Sequence, residues 1–218
     1  MKAIDLIERA LSALADSDET VWTAFELLEY LSQGQVEVVR VKPDANVVRA
    51  TVTLIAGQQQ DLPADGLLLI DVVRSLGITG LTESDSITAV ERQVMDRTAP
   101  GWQKQTPSRG IVHYMYDPRD PKHYDVYPPQ PQGPGQADIV YAARPAALTE
   151  LDDELTLDSE YHGALHDYML FRAHWMATSA ADPNKAMAYR SAFYQALGAQ
   201  EQAEVAYQAG RFASRDLR

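Results

Sequence analysis

One segment constrains this chain more than any other: GIVHYMYDPRDPKHYDVYPPQPQGPGQADIVYAARP, residues 110–145. Alternating apolar and polar runs are broken there by Asp/Pro and Pro/Gly clusters, the punctuation of hairpin-linked strands. The segment predicts an antiparallel β meander. The aromatic- and alanine-rich stretch that follows to Gly198 predicts a pair of helices. No catalytic motif sits in either part, which points toward a structural component rather than a catalyst.

Composition narrows the classes further. A chain of 218 residues can hold one sizeable core, or a core with a satellite lobe. With 31 acidic against 19 basic residues its formal net charge is -12. An extended basic surface for nucleic-acid phosphates or for an acidic membrane is therefore not expected. The absence of cysteine removes disulfides, thiolate zinc sites and cysteine nucleophiles together. Asp5, Glu8 and Arg9 interrupt the apolar stretch that a signal peptide needs, and the longest aliphatic run, Leu67 to Ile70, is far too short to span a bilayer. A soluble protein made in the cytoplasm is expected.

Ile4, Ile7, Leu11 and Leu14 recur at helical spacing and predict a first helix. Asp16, Ser17 and Asp18 supply candidate N-caps for a second, which presents Trp22, Phe25, Leu28 and Leu31. Gly34 looks like a stop and VEVVRV (residues 36–41) like a strand, but the stripe stays in phase through Gln35 and Val38. Pro43 is the first residue that must end it, so one helix to about Val41 is preferred. Val48 to Ile55 alternates as a strand, residues 57–66 read as a loop, and Leu67 to Leu76 reads as a strand covered on both faces. A polar turn over residues 77–84 and a short helix over residues 90–98 precede the meander, and an acidic connector follows it at residues 146–158. Asp158 opens a helix from Ser159 to about Ser179 carrying Tyr161, Leu165, Tyr168, Phe171, Arg172 and Trp175. Asp182-Pro183 opens another that stops at Gly198, and the two should form an antiparallel hairpin. The tail, residues 199–218, is left open between helix and disorder.

These elements predict an α+β fold: an antiparallel helical bundle built from both chain ends (residues 1–43 and 149–198), with an antiparallel β lobe inserted at residues 44–148 and a C-terminal arm at residues 199–218.

Candidate chemistry is thin. His162 and His166 stand at i, i+4 on one helix face, a spacing that can chelate a divalent ion, with His174 as a distant third. The glutamate of HExxH is missing, since Gly163 follows His162, so a packing or surface role is the blander and favoured reading. Asp152-Asp153-Glu154 reads as a solvated acidic turn before it reads as acid/base machinery. Tyr114, Tyr116, Tyr124, Tyr127 and Tyr141 could stack sugars or bases, though cross-strand packing explains them as well. Gly133-Pro134-Gly135 lacks the later glycine of a dinucleotide fingerprint and reads as a loop tip. Arg172 lies on an apolar stripe and needs a partner, for which Glu26 and Glu29 are candidates. No catalytic residue and no cofactor is assigned. The alternatives kept open are a metal-dependent enzyme using His162 and His166, and a glycan- or host-binding β module.

Four stretches taken in order, AFELLEYLSQGQVEVVRVKPDA, LIAGQQQDLPADGLLLIDVVRSLG, HYMYDPRDPKHYDVYPP and LHDYMLFRAHWMATSAADPNKAMAYRSAFYQALG, cover most of residues 20–198. In order and spacing the chain resembles the head-to-tail adaptor (connector) proteins of short-tailed phages. That resemblance implies a non-enzymatic virion protein at the head-tail interface, made in the host cytoplasm. It also implies a ring of about twelve copies, closed by side-to-side heterologous contacts, between the portal protein and the tail or nozzle protein. The arm would reach the portal, with Val205, Tyr207, Arg211, Phe212, Arg215 and Arg218 as the portal-interface residues. Genomic DNA would pass through the ring without specific binding, which suits a net charge of -12 facing a polymer with one charge per ~1.7 Å. No membrane partner is implied.

Overall fold

The computed structural model describes residues 1–76, 87–133, 135–176 and 181–213, with 199–213 as helix backbone alone. The predicted turn at residues 77–84 and Pro134 of the loop tip lie outside the described residues. Contacts divide the chain into two units, one of Met1–Ala45 with the chain from Pro145 onward, the other Asn46–Arg144.

In the first unit α1 spans Ala3–Leu14 and buries Ala3, Leu6, Ile7, Ala10 and Leu11 along one stripe. Its start is pinned to the acidic connector: Ala3 N–H donates to the Asp153 carbonyl at 2.8 Å and Ile4 N–H to that of Leu151 at 2.9 Å. Asp16 does not cap the second helix. Its carboxylate instead gathers the intervening turn, accepting from the Thr20, Val21 and Trp22 amides and the Thr20 hydroxyl. The cap is Thr23, in a reciprocal capping box with Glu26.

Helix α2 then runs unbroken over Ala24–Val41, through Gly34 and the β-branched run, as the stripe predicted. Trp22 precedes it and is buried, while Phe25 turns to solvent at 61% exposure. Gly34 is present for closeness: a Cβ there would stand 3.0 Å from Tyr168 Cδ1 and 3.3 Å from Leu165 Cδ2. Those two residues belong to α4, His162–Trp175, and α2 and α4 pack together. A 3-10 turn, Ser159–Tyr161, leads into α4, and Asp158 makes no side-chain cap. Asp182 does cap α5, Pro183–Ala213, accepting from the Asn184 and Lys185 amides at 3.0 and 3.2 Å.

The second unit holds β1 (Val47–Leu54), β2 (Gly57–Asp61), β3 (Gly66–Ser75), β4 (Thr88–Ala89), α3 (Arg92–Thr98), β5 (His113–Met115), β6 (His123–Gln130) and β7 (Gly135–Ala143). The strands form two sheets, ordered β1-β7-β3 and β2-β6-β5-β4. This corrects the expected architecture. The protein is α+β with a three-stranded and a four-stranded sheet, not a helical bundle carrying one antiparallel lobe, and helices hold fewer than half of the described residues.

The meander is corrected with it. β5 and β6 pair antiparallel, but β7 leaves them for the other sheet, where it is the central strand between β1 and β3. The smaller β4 pairs parallel to β5. The residues read as a loop at 57–66 include β2, which pairs with β6. Its Gln60 is buried, and its side-chain amide bonds both the N–H and the C=O of Ile55 at 2.8 Å, standing in for a strand partner.

One core fills the space between the sheets, from Leu54, Leu69, Val72, Tyr124, Val126 and Ile139 with their neighbours. On the outer face of the four-stranded sheet Met95 of α3, Trp102 and Met115 make a second, smaller cluster. The expected two-sided cover of β3 is absent at Ile70, which is 41% exposed.

Candidate functional site

Helix packing in the first unit sets the length of its C-terminal element free. The His174 ring stacks on Tyr189 with centroids 5.9 Å apart, and Tyr168 packs on Phe193 at 5.2 Å. These pairs make α4 and α5 antiparallel, and at that register His162, the first residue of α4, falls opposite about residue 200 of α5. Helix α5 nevertheless continues to Ala213. Gly198 is therefore not a stop. The residues beyond it prolong the same helix past the end of the helix it is packed on. Val205, Tyr207, Arg211 and Phe212 lie on this prolongation, whereas Arg215 and Arg218 lie outside the described residues.

The alternative sites do not assemble. Burial holds the His162 imidazole below its ordinary pKa, aided by the Met1 ammonium and Arg9 and opposed by a hydrogen bond that the ring donates to the Leu157 carbonyl. His166 Nδ1 lies 3.9 Å from its neighbour Asp167, and His174 is buried between Trp22 and Tyr189. Among the described residues no group of three His, Asp or Glu side chains is arranged to hold a metal ion. Asp152 binds Lys2 at 2.8 Å and Asp153 accepts from the Thr149 and Glu150 amides, so this acidic turn ties down the start of α1. Those amides hold the Asp153 carboxyl below its usual range.

Of the five tyrosines, Tyr114, Tyr124 and Tyr141 are buried between the sheets and Tyr116 packs against the same core. Tyr127 points the other way, stacks on His113 at 6.0 Å and donates to Gln105. They form no common stacking face. Arg172 finds neither Glu26 nor Glu29: its Nη1 donates to Gln33 Oε1 at 2.5 Å and its guanidinium lies 5.2 Å over the Tyr30 ring.

A cleft of about 310 Å³ opens in the second unit, beside Arg92, Asp117, Asp120, His123 and Asp125. Its charges are largely matched from within. Asp117 is held down at about 2 by the Arg119 side chain, and the Asp120 carboxylate, 2.7 Å from His123 Nδ1, raises the histidine. Burial pushes the Asp125 carboxyl up. The signal that sequence reading missed is the prolonged α5, and it was present: residues 199–213 contain neither proline nor a β-branched run beyond Val205.

No curated protein matches the chain. A family model described as SU10 adaptor protein matches residues 1–215, nearly the whole sequence. With that span, the chain belongs to the SU10 adaptor protein family of phage structural proteins.

Proposed function

We propose that this protein is the head-to-tail adaptor of its virion, a closed ring of copies seated between the portal and the tail around the path of the exiting DNA. The observation that carries the reading is the match to the adaptor family along residues 1–215. The prolonged α5 supports it physically. A helix that continues beyond its packing partner offers an element for a second protein to cover, and Val205, Tyr207, Arg211 and Phe212 lie on it. With Arg215 and Arg218 these are the residues assigned to the portal contact.

The charge suits the location. At -12 the protein repels a duplex, so DNA slides through a ring of such chains without being held. Closure by rotation requires two different surfaces on each copy.

Sedimentation of the full-length chain with purified portal rings tests the reading. Co-sedimentation that is lost on deleting residues 199–218, in a truncated protein that still melts cooperatively, is the expected result. A full-length chain that never sediments with portal rings would remove the adaptor function.

A further inference from the structure

Helix α5 from Pro183 to Gly198 contains no carboxylate, in a chain that carries 31 of them. Away from α4 it exposes two cations, Lys185 and Arg190, beside exposed Ala188 and Ser191. Met187 is 49% exposed and Tyr194 41%; the Arg190 guanidinium lies 5.8 Å over the Tyr194 ring, whose hydroxyl donates to Glu37 of α2, itself paired with Arg40, so the face keeps an excess of cations. A shallow groove of about 410 Å³ runs along Met187, Arg190, Ser191, Tyr194 and Gln195.

The opposite charge is collected elsewhere in the same unit. Helix α1 exposes Asp5 and Glu8, and the connector strapped to its start exposes Glu150, Asp152, Glu154 and Asp158. Of the nearby cations Lys2 is already bound to Asp152, which leaves Arg9 against this excess. The two surfaces face apart. His162 feels Arg9 of α1, whereas Tyr168 and His174 pack on α5; at 100° per residue these two stand about 120° round α4 to either side of His162, so α5 centres on the side opposite it.

We infer that the outer face of α5 in one copy, with Lys185 and Arg190, docks on the acidic α1–connector face of the next. This rests on the ring reading and names the two surfaces that close it. The occupant is a second copy because complementary charge stands on opposite flanks of one unit, the arrangement a head-to-tail contact repeats by rotation. The half-exposed Met187 and Tyr194 supply the apolar centre, and the charges around them set register.

The test uses full-length chains on portal rings, with ring completion read by sedimentation and melting temperature as the folding control. One variant carries Lys185→Glu and Arg190→Glu, the other Glu8→Lys, Glu150→Lys, Glu154→Lys and Asp158→Lys. Each alone sets like charge against like and should lower ring yield about tenfold or more. Mixed one to one they restore opposite charge at every joint, and ring yield should return. Normal assembly by both variants separately, or no recovery on mixing two folded variants, would overturn this contact while leaving the ring in place. Failure of the unaltered chain to assemble would overturn the ring and the contact together.

Discussion

Tyr194 on α5 donates its hydroxyl to Glu37 Oε1 on α2 over 3.1 Å. With Phe193 and Leu197 buried beside it, the bond ties α5 to the rest of its unit just before the register with α4 runs out. Tyr194→Phe should cost about 1 kcal/mol by chemical denaturation, the usual net worth of such a bond. A much larger loss would mean that the tie organises more than one helix contact.

Gly34 should resist enlargement. A valine there drives its methyls into Tyr168 and the fully buried Leu165, so Gly34→Val should lower stability by about 2 kcal/mol despite valine's better helix propensity than glycine. Equilibrium unfolding in urea measures it.

Arg172 offers a test of shape against charge. Arg172→Lys keeps the charge but not the flat group over Tyr30 or the reach to Gln33, and should cost about 1 kcal/mol. Were the arginine there for charge alone, lysine would be neutral.

Asp16 makes stability depend on pH. The Thr20 hydroxyl first, then the Trp22 amide and its neighbours, lower its pKa from 3.8 to about 2 in the folded chain. A depressed carboxylate contributes stability that is fully present above the unfolded value and lost as pH falls through the folded one. Asp16→Ala should therefore melt lower than the parent at pH 7, and the gap should shrink between about pH 4 and pH 2. Melting curves across that window decide it.

The metal reading makes the opposite forecast from the adaptor reading. His162→Ala with His166→Ala should leave portal co-sedimentation unchanged, since neither histidine lies on the prolonged helix that carries the proposed portal contact.

Helices α1, α2 and α4 were legible because their information is local: a stripe at 3.6 residues survives in one dimension. The cap of α2 was missed: Asp16, Ser17 and Asp18 drew the assignment, although Thr23 and Glu26 form a T-x-x-E signature at the start of the helix. The sheets were not. β7 alternates just as β5 and β6 do, and nothing local says that its neighbours are β1 and β3, tens of residues upstream. β2 was hidden for another reason, since GQQQD has little strand propensity and is held by Gln60 bonding the backbone of Ile55. At the site, Gly198 suggested an ending. The helix continued because a single glycine costs only about 1 kcal/mol within it.

Electron microscopy of the full-length protein bound to portal rings tests the central claim most directly. The account predicts one closed ring coaxial with the portal, open enough at its centre for a duplex, with the prolonged α5 of each copy against portal density. Copies bound singly without closing a ring, or a ring whose centre is filled by protein, would contradict it.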